Sequence, residues 1–81
     1  PAVMDTLGWV YYKRELYDMA IAEFKACVEK EPANPIFQYH LGLTQYKLGN
    51  FFKSEAALKK ALELQKDFPG AADAREVLSR L

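Results

Sequence analysis

The sequence predicts an all-α fold, an α-solenoid of two antiparallel helix pairs followed by a capping helix. The first observation is a period of 34 residues, since Leu7-Gly8 recurs as Leu41-Gly42 and prolines stand at residues 1, 35 and 69. The second observation is that the apolar residues recur with a spacing near 3.6, the period of a helix, and not of 2, the period of a strand. A fixed period of about 20–50 residues indicates one supersecondary unit stacked on copies of itself.

The period divides the chain into repeat 1 at residues 1–34, repeat 2 at residues 35–68 and a capping helix at residues 69–81, all in one structural domain. A domain of this size buries only about 60–65% of the surface that its unfolded chain exposes. We therefore expect marginal stability, and we expect the 81 residues to be a piece of a longer protein.

Repeat 1 is predicted to contain a helix at residues 1–14 and a second helix at residues 17–31. The first helix is apolar on two sides, and the second carries one apolar stripe opposite a charged side. We expect the hairpin seam between the two helices to be filled by Met4, Leu7, Val10, Tyr11, Ala20, Ile21, Phe24, Cys27 and Val28.

The sequence does not mark the turn of the first hairpin with a glycine or a proline. Glu15 stands where the second repeat has Gly49, and a non-glycine residue in the left-handed region costs roughly 1 kcal/mol. Local helix preference alone favours one continuous helix from about Trp9 to Glu31. Burial of the seam outweighs this turn penalty, so we expect a closed monomer with a minor, weak or domain-swapped homodimer.

Repeat 2 is marked more clearly at both ends of its first helix, residues 35–48. Asn34 before a proline is a good N-cap, because its side chain satisfies an orphan N–H and proline has none. Gly49 then allows the left-handed backbone of a tight turn. A fourth helix is predicted from residue 51 to about residue 65 or 66, and a fifth helix at 69–81 covers the last repeat.

A set of small and large residues recurs at fixed spacing in both units: Leu7-Gly8, Tyr11, Tyr17, Ala20, Phe24 and Pro32, then Leu41-Gly42, Gly49, Phe51, Leu58 and Ala61. This pattern resembles the tetratricopeptide repeat family, and the resemblance covers essentially the whole chain. It implies an antiparallel helix pair in each repeat, in which small residues let the helices approach. The neutral, alanine-rich composition is similar to that of bacterial arrays in envelope and polysaccharide-export assemblies.

The charge balance excludes several classes of partner. The formal net charge is zero and no run of like charge exceeds two residues, so neither a nucleic acid nor an anionic membrane surface is expected to bind. No apolar run approaches the roughly 20 residues that span a bilayer, which argues against direct membrane insertion. No signal peptide opens the sequence, so a cytoplasmic and a periplasmic location both stay open.

Enzyme activity is not expected, and neither is a metal or a cofactor. The chain contains one cysteine, Cys27, and one histidine, His40, which are too few for a metal cluster. Cys27 lies on an apolar stripe, where an inert core role is favoured over a redox role. For His40 we favour a helix-surface or packing role over contact with a ligand.

The surplus apolar face on the first helix of each repeat is the candidate functional site. The resemblance implies that this face lines a concave groove, which binds an extended peptide or a partner helix. Lys13 and Lys47 would flank the groove and favour a partner with acidic groups; the alternative is that its tyrosines only pack between repeats. The candidate groove residues are Asp5, Trp9, Tyr12, Lys13, Ile36, Tyr39, His40, Leu43, Tyr46 and Lys47.

The leading hypothesis is therefore a non-catalytic protein–protein interaction or scaffolding module, and the alternative is a homo-oligomerisation module within a larger protein. Binding of RNA would need basic residues along the groove, which the neutral balance does not supply. The chaperone-binding members of the resembled family hold a C-terminal carboxylate with lysine, asparagine and arginine. None of these side chains is found at the corresponding positions, which are Asp5, Trp9, His40, Gly70 and Ala74.

Overall fold

Five α-helices and no strands form the part of the chain that the computed structural model describes, residues 2–81. Pro1, where repeat 1 and its first helix are predicted to begin, lies outside the described residues. The all-α prediction of two helix pairs and a closing helix is confirmed, and each described helix boundary lies within two residues of the predicted one. The helices are α1 (Ala2–Lys13), α2 (Tyr17–Lys30), α3 (Pro35–Lys47), α4 (Phe51–Leu64) and α5 (Ala71–Ser79).

The helices are arranged as two hairpins, α1–α2 and α3–α4, with α5 packed against the end of the second hairpin. Helix α2 packs against α3, so the hairpins stack through the second helix of one and the first helix of the next. Helices α1 and α5 also contact α3. The central helix α3 therefore contacts all four other helices, and α1, α3 and α5 form a row on one side.

Each hairpin closes around a glycine. A Cβ atom at Gly8 would lie 2.6 Å from Phe24 Cε1, and a Cβ atom at Gly42 would lie 2.7 Å from Leu58 Cδ2. Phe24 and Leu58 are completely buried, and they are the two largest side chains in the described residues with no exposed surface. In both hairpins the bulky side chain occupies the space that the glycine leaves empty, which lets the helices approach closely.

The prediction that Leu7 and Val10 fill the first seam is wrong. Leu7 is 39% exposed and Val10 is also exposed, whereas Leu41, one period after Leu7, is only 8% exposed. The reason is that Leu41 lies on the side of α3 that α2 covers, where it packs with Ala20 and Phe24. In the described chain no helix covers the same side of α1. Leu81, at the end of the fifth helix predicted for residues 69–81, is exposed because it follows the end of α5.

The first hairpin is closed, and its turn has the same hydrogen bonds as the second. Leu16 N–H donates to Tyr11 O at 2.9 Å and Glu15 N–H donates to Tyr12 O at 2.9 Å, the pattern of a Schellman motif. The residue at the left-handed position is Glu15, with φ of 62°, where the second hairpin has Gly49 with φ of 81°. Glu15 is the only non-glycine residue with positive φ among residues 2–81.

The start of α3 and the middle of the second hairpin are held by side-chain hydrogen bonds to the backbone. Asn34 Oδ1 accepts from the N–H groups of Ile36 and Phe37 at 3.0 and 3.2 Å, which confirms the predicted N-cap. The buried Ser54 Oγ donates to Gly42 O at 2.8 Å. This bond satisfies the hydroxyl at the point of closest approach between α3 and α4.

We predict that Phe24→Ala destabilises the fold by about 3–5 kcal/mol and Leu58→Ala by about 2–5 kcal/mol, since each removal leaves a cavity at a fully buried site. Urea unfolding, followed by the circular dichroism signal of the helices, measures both losses of unfolding free energy. The matched control is Phe52→Ala, at a side chain that is 87% exposed, which should change stability by less than about 0.5 kcal/mol. Losses below about 1 kcal/mol for Phe24→Ala and Leu58→Ala would contradict the seam assignment.

Candidate partner-binding site

Helix α1 contributes an aromatic stack to the row of first helices. Trp9 and Tyr12, three residues apart on one side of α1, stack with their ring centroids 4.8 Å apart and their planes 4° from parallel. Lys13 Nζ lies 5.0 Å from the centroid of the Trp9 ring, a cation–π distance. Both rings are half-buried, whereas Lys13 is exposed. The stack therefore presents a lysine and part of two aromatic rings at the surface.

His40 joins this stack to α3. Its ring lies 4.7 Å from the Trp9 ring and is inclined to it by 24°, and its Nδ1 lies 2.7 Å from Asp5 Oδ1. The rings of Phe24 and Tyr39 lie 5.2 and 5.5 Å away. His40 is thus packed among aromatic rings and hydrogen-bonded to a carboxylate.

Tyr39 joins α3 to α5 in the same way. Its hydroxyl donates to Asp73 Oδ2 at 2.7 Å. Burial, and then the hydrogen bond to Asp73, raise the pKa of Tyr39 well above its usual value. Burial also raises the pKa of Tyr12, with smaller contributions from Tyr17 and from Asp73. Asp5 of α1 and Asp73 of α5 are therefore each hydrogen-bonded to an aromatic side chain of α3.

Two predicted groove residues lie under the surface. Tyr39 is 8% exposed and Leu43 is 5% exposed, and both belong to the core cluster that α3 forms with α4 and α5. Trp9 and Tyr12 pack against this cluster from the side of α1. Tyr39 and Leu43 therefore form the floor of the site and offer a partner little accessible surface.

The remaining predicted residues lie near the two ends of α3: Ile36 near its start, and Tyr46 and Lys47 at its end. Ile36 is half-buried and lines a cleft of about 600 Å³ between the two inter-repeat loops, which Pro32 and Pro69 also line. The Tyr46 ring lies 5.6 Å from the ring of Phe51 on α4, and Lys47 is exposed. The structure thus brings together the residues around Trp9, and it packs Ile36 and Tyr46 against the same core cluster as Trp9 and Tyr12.

We call this surface the first-helix face. It has an aromatic stack, a buried floor and exposed lysines, and it consists of Asp5, Trp9, Tyr12 and Lys13 of α1, of Ile36, Tyr39, His40, Leu43, Tyr46 and Lys47 of α3, and of Asp73 of α5.

The charges of the first-helix face are unevenly paired. Asp5 and Asp73 each lie 2.7 Å from a ring group of α3, through His40 and Tyr39 respectively. Within residues 2–81, neither Lys13 nor Lys47 has a carboxylate oxygen within 4.0 Å. The lysines lie in the last turns of α1 and α3, at corresponding positions one period apart. Of the charged groups of the face that the structure describes, the two lysines are therefore the ones without an ion pair or hydrogen bond to another side chain.

Sequence reasoning missed Asp73 of the first-helix face. A signal for Asp73 was present, since residues 5, 39 and 73 are separated by one period each, and extending the repeat into the last helix would have placed Asp73 beside Tyr39. Phe51, which belongs to the repeated pattern, is 55% exposed.

Other kinds of site find little support in the described part of the chain. Residues 2–81 contain no group of three or more histidine, cysteine, aspartate or glutamate side chains placed to hold a metal ion. None of the described helices combines the length and the apolar character needed to cross a membrane. Cys27 is buried, and this burial is the main cause of a raised pKa for its thiol, which disfavours the reactive thiolate.

Comparison with known families agrees with this architecture. The family model described as TPR repeat matches residues 8–49, and the one described as Tetratricopeptide repeat matches residues 35–68. The chain belongs to the tetratricopeptide repeat family. Repeats of this family generally mediate protein–protein interaction and are typically non-catalytic. No curated protein matches the chain. The bacterial origin and the longer parent protein stay predictions.

The burial of Tyr39, together with its hydrogen bond to Asp73, predicts a dependence of stability on alkaline pH. The pKa of Tyr39 in the folded chain lies above the ordinary value of 10.0, so the stabilisation is complete below pH 10.0 and is lost as the pH rises through the folded pKa. Between these two pKa values the loss is about 1.4 kcal/mol per pH unit. Tyr39→Phe removes this contribution, at a cost of about 1 kcal/mol near neutral pH.

Urea unfolding of the wild-type chain and of Tyr39→Phe, measured from about pH 7 to about pH 11, tests this prediction. The difference in unfolding free energy between the two chains should shrink as the pH rises above 10.0. A constant difference over the whole range would contradict the raised pKa.

Proposed function

We propose that the chain is a non-catalytic scaffolding module that binds an acidic segment of a partner protein, an extended peptide or a helix, on the first-helix face. The observation that carries this proposal is the uneven pairing of charge on that face. Within the described residues 2–81, the exposed Lys13 and Lys47 form no ion pair, while Asp5 and Asp73 are hydrogen-bonded to His40 and Tyr39 of α3. A partner that brings acidic groups supplies these two lysines with ion-pair partners.

The aromatic stack supports the same proposal, because it is fixed before a partner arrives. Trp9 is held between Tyr12, His40 and the ammonium group of Lys13, at centroid distances of 4.8, 4.7 and 5.0 Å. A partner that contacts these rings does not have to order them, which lowers the entropy lost on binding. Aromatic side chains are also the usual anchors of protein interfaces.

Catalysis has no support on this face. The ring of His40 is held by Asp5 at 2.7 Å and packs on the rings of Trp9 and Phe24, which is a structural role for this side chain. The only cysteine, Cys27, is buried, and its pKa is raised. We therefore include the absence of enzyme activity in the proposal.

Reversal of the two lysine charges tests the proposal. Peptides are first selected from a displayed random library on the immobilised wild-type chain. Because Trp9 is the only tryptophan, its fluorescence then reports binding of each selected peptide at the first-helix face. We expect acidic residues to be enriched in the selected peptides. Lys13→Glu combined with Lys47→Glu should weaken their binding by about tenfold or more, with a strong dependence on salt.

The matched control is Lys25→Glu combined with Lys60→Glu, which makes the same change of charge at exposed positions of the second helices α2 and α4. This control should change binding by less than about twofold. Circular dichroism melting curves verify that both variants remain folded. Selected peptides without acidic enrichment, or equal losses in both variants, would refute the proposed binding mode.

A second candidate function is self-association by exchange of the first hairpin, and the backbone of Glu15 favours it. Its φ of 62° is a left-handed conformation that costs a non-glycine residue about 1–2 kcal/mol. An opened chain relieves this strain, and a second molecule can supply the same seam contacts. The entropy lost on association opposes the exchange, so the dimer becomes populated only at high protein concentration.

We predict that Glu15→Gly stabilises the monomer by up to about 1 kcal/mol and lowers the fraction of dimer. Urea unfolding measures the first effect, and size-exclusion chromatography with light scattering at increasing concentration measures the second. The control Glu23→Gly, in the interior of α2, should instead cost about 1 kcal/mol. A dimer whose fraction is unchanged in Glu15→Gly would rule out the turn as its cause.

A further inference from the structure

The two edges of the helix stack carry opposite charge, although the chain as a whole is neutral. Short loops make α1 and α3 each antiparallel to α2, so both hairpin turns lie at one edge and both inter-repeat loops at the other. We call residues 13–19 and 47–53 the turn edge, and residues 29–36 and 63–70 the loop edge. The turn edge has four basic and two acidic residues, and the loop edge has two basic and four acidic residues. The net charge of zero is therefore the balance of two separate regions of opposite sign.

The turn edge also presents aromatic surface. Phe52 is 87% exposed, the highest value among the large apolar side chains of residues 2–81, and Phe51 beside it is exposed as well. The repeat does not require an apolar residue here, since the residue one period before Phe52 is Asp18. The next residue, Lys53, is exposed and has no carboxylate oxygen within 4.0 Å in the described chain. The turn edge therefore carries a protruding ring next to a positive charge.

The loop edge carries a cleft of complementary character. The cleft of about 600 Å³ between the two inter-repeat loops belongs wholly to this edge. Its lining is mainly apolar and includes three prolines together with the half-buried Ile36 and the buried Phe68. The exposed Glu31 also lines it. An open apolar cleft of this size beside a carboxylate fits an aromatic side chain that has a basic residue next to it.

We propose that the turn edge of one copy of the chain binds the loop edge of a second copy, with Phe52 in the cleft and Lys53 against Glu31. Burial in the cleft removes from water a ring that is almost fully exposed in the single chain. The opposite charges of the two edges orient the approach of the copies. A second copy is the favoured occupant because one chain carries both halves of the contact, on edges of opposite charge.

The two binding surfaces lie at opposite edges of one molecule, so the association does not close. A copy whose cleft is filled still offers its own Phe52 to a third copy, and the product is an open row of molecules. One ring and a few ion pairs bury less surface than a stable dimer needs, so we expect a Kd on the order of 0.1–1 mM. Such a contact becomes populated where copies are held close together. It differs from exchange of the first hairpin, because both hairpins stay closed.

Sedimentation equilibrium of the 81-residue chain up to about 1 mM tests the proposal. The average mass should rise with concentration past that of a dimer, and added salt should weaken the association. Phe52→Asp should weaken it by about tenfold or more, since it removes the ring and brings a negative charge towards Glu31. The fold tolerates this change, because the first repeat already has aspartate at the equivalent position, Asp18.

The decisive measurement mixes two defective variants. Ala33→Arg, at an exposed loop residue of the cleft, obstructs the cleft and repels Lys53, and alone it should weaken association as much as Phe52→Asp does. In the mixture, Phe52 of the Ala33→Arg chain meets the intact cleft of the Phe52→Asp chain. Dimers should therefore form that cannot grow further. The control Val3→Asp makes the same kind of change at a side chain that is 81% exposed but outside both edges, and should leave association unchanged.

Circular dichroism melting curves verify that each variant is folded. A wild-type chain that stays monomeric up to about 1 mM would overturn the proposal. So would a mixture that associates no more than its components, since the contact would then not join the two different edges. Association that Glu15→Gly abolishes would assign it instead to hairpin exchange. Binding to anionic lipid vesicles through Phe52, without self-association, would assign the turn edge to a membrane surface and likewise overturn the proposal.

Discussion

The close approach of the two helices within each hairpin is the constraint on which the rest of the structure depends. At Gly8 the ring of Phe24, and at Gly42 the side chain of Leu58, occupies the space that any other residue would need for its Cβ atom. This contact sets the distance between the helices of a hairpin. The same distance decides where α2 meets α3 and where α4 meets α5, because each second helix contacts partners on both of its sides. The shape of the first-helix face is therefore determined by how α1, α3 and α5 pack against the second helices α2 and α4.

Helix α3 connects this packing to the surface. It contacts every other helix, and its neighbouring residues Tyr39 and His40 bond to carboxylates on α5 and α1 respectively. Each bond orients one carboxylate towards α3 and keeps it away from the lysines of the face. Among the described residues, Lys13 and Lys47 therefore have no carboxylate in ion-pair contact. The contacts that align the first helices thus also set where the charges of the face lie.

The helices, the hairpin pairing and the buried position of Phe24 could be predicted, because spacing and residue size repeat with the period and are local properties of the sequence. The exposure of Leu7 could not, because the period assigns one environment to Leu7 and Leu41, whereas burial depends on whether a helix packs on the outer side. The same limit applies to the candidate site. Its aromatic character was visible in the spacing, but the burial of Tyr39 and Leu43 depends on how α5 packs against α3 and α4, which the period does not specify even though it relates residue 73 to residues 5 and 39.

The manner in which α5 is held has a consequence for the motions of the molecule. This helix has nine residues, too few to be stable alone, so only its contacts with α3 and α4 keep it folded. When α5 separates transiently from the rest, its amide hydrogens exchange with solvent while those of α3 and α4 stay protected. The same local opening uncovers the rings and branched chains of the floor, Tyr39 and Leu43. The burial of the floor of the face thus depends on a helix that lies outside the two repeats.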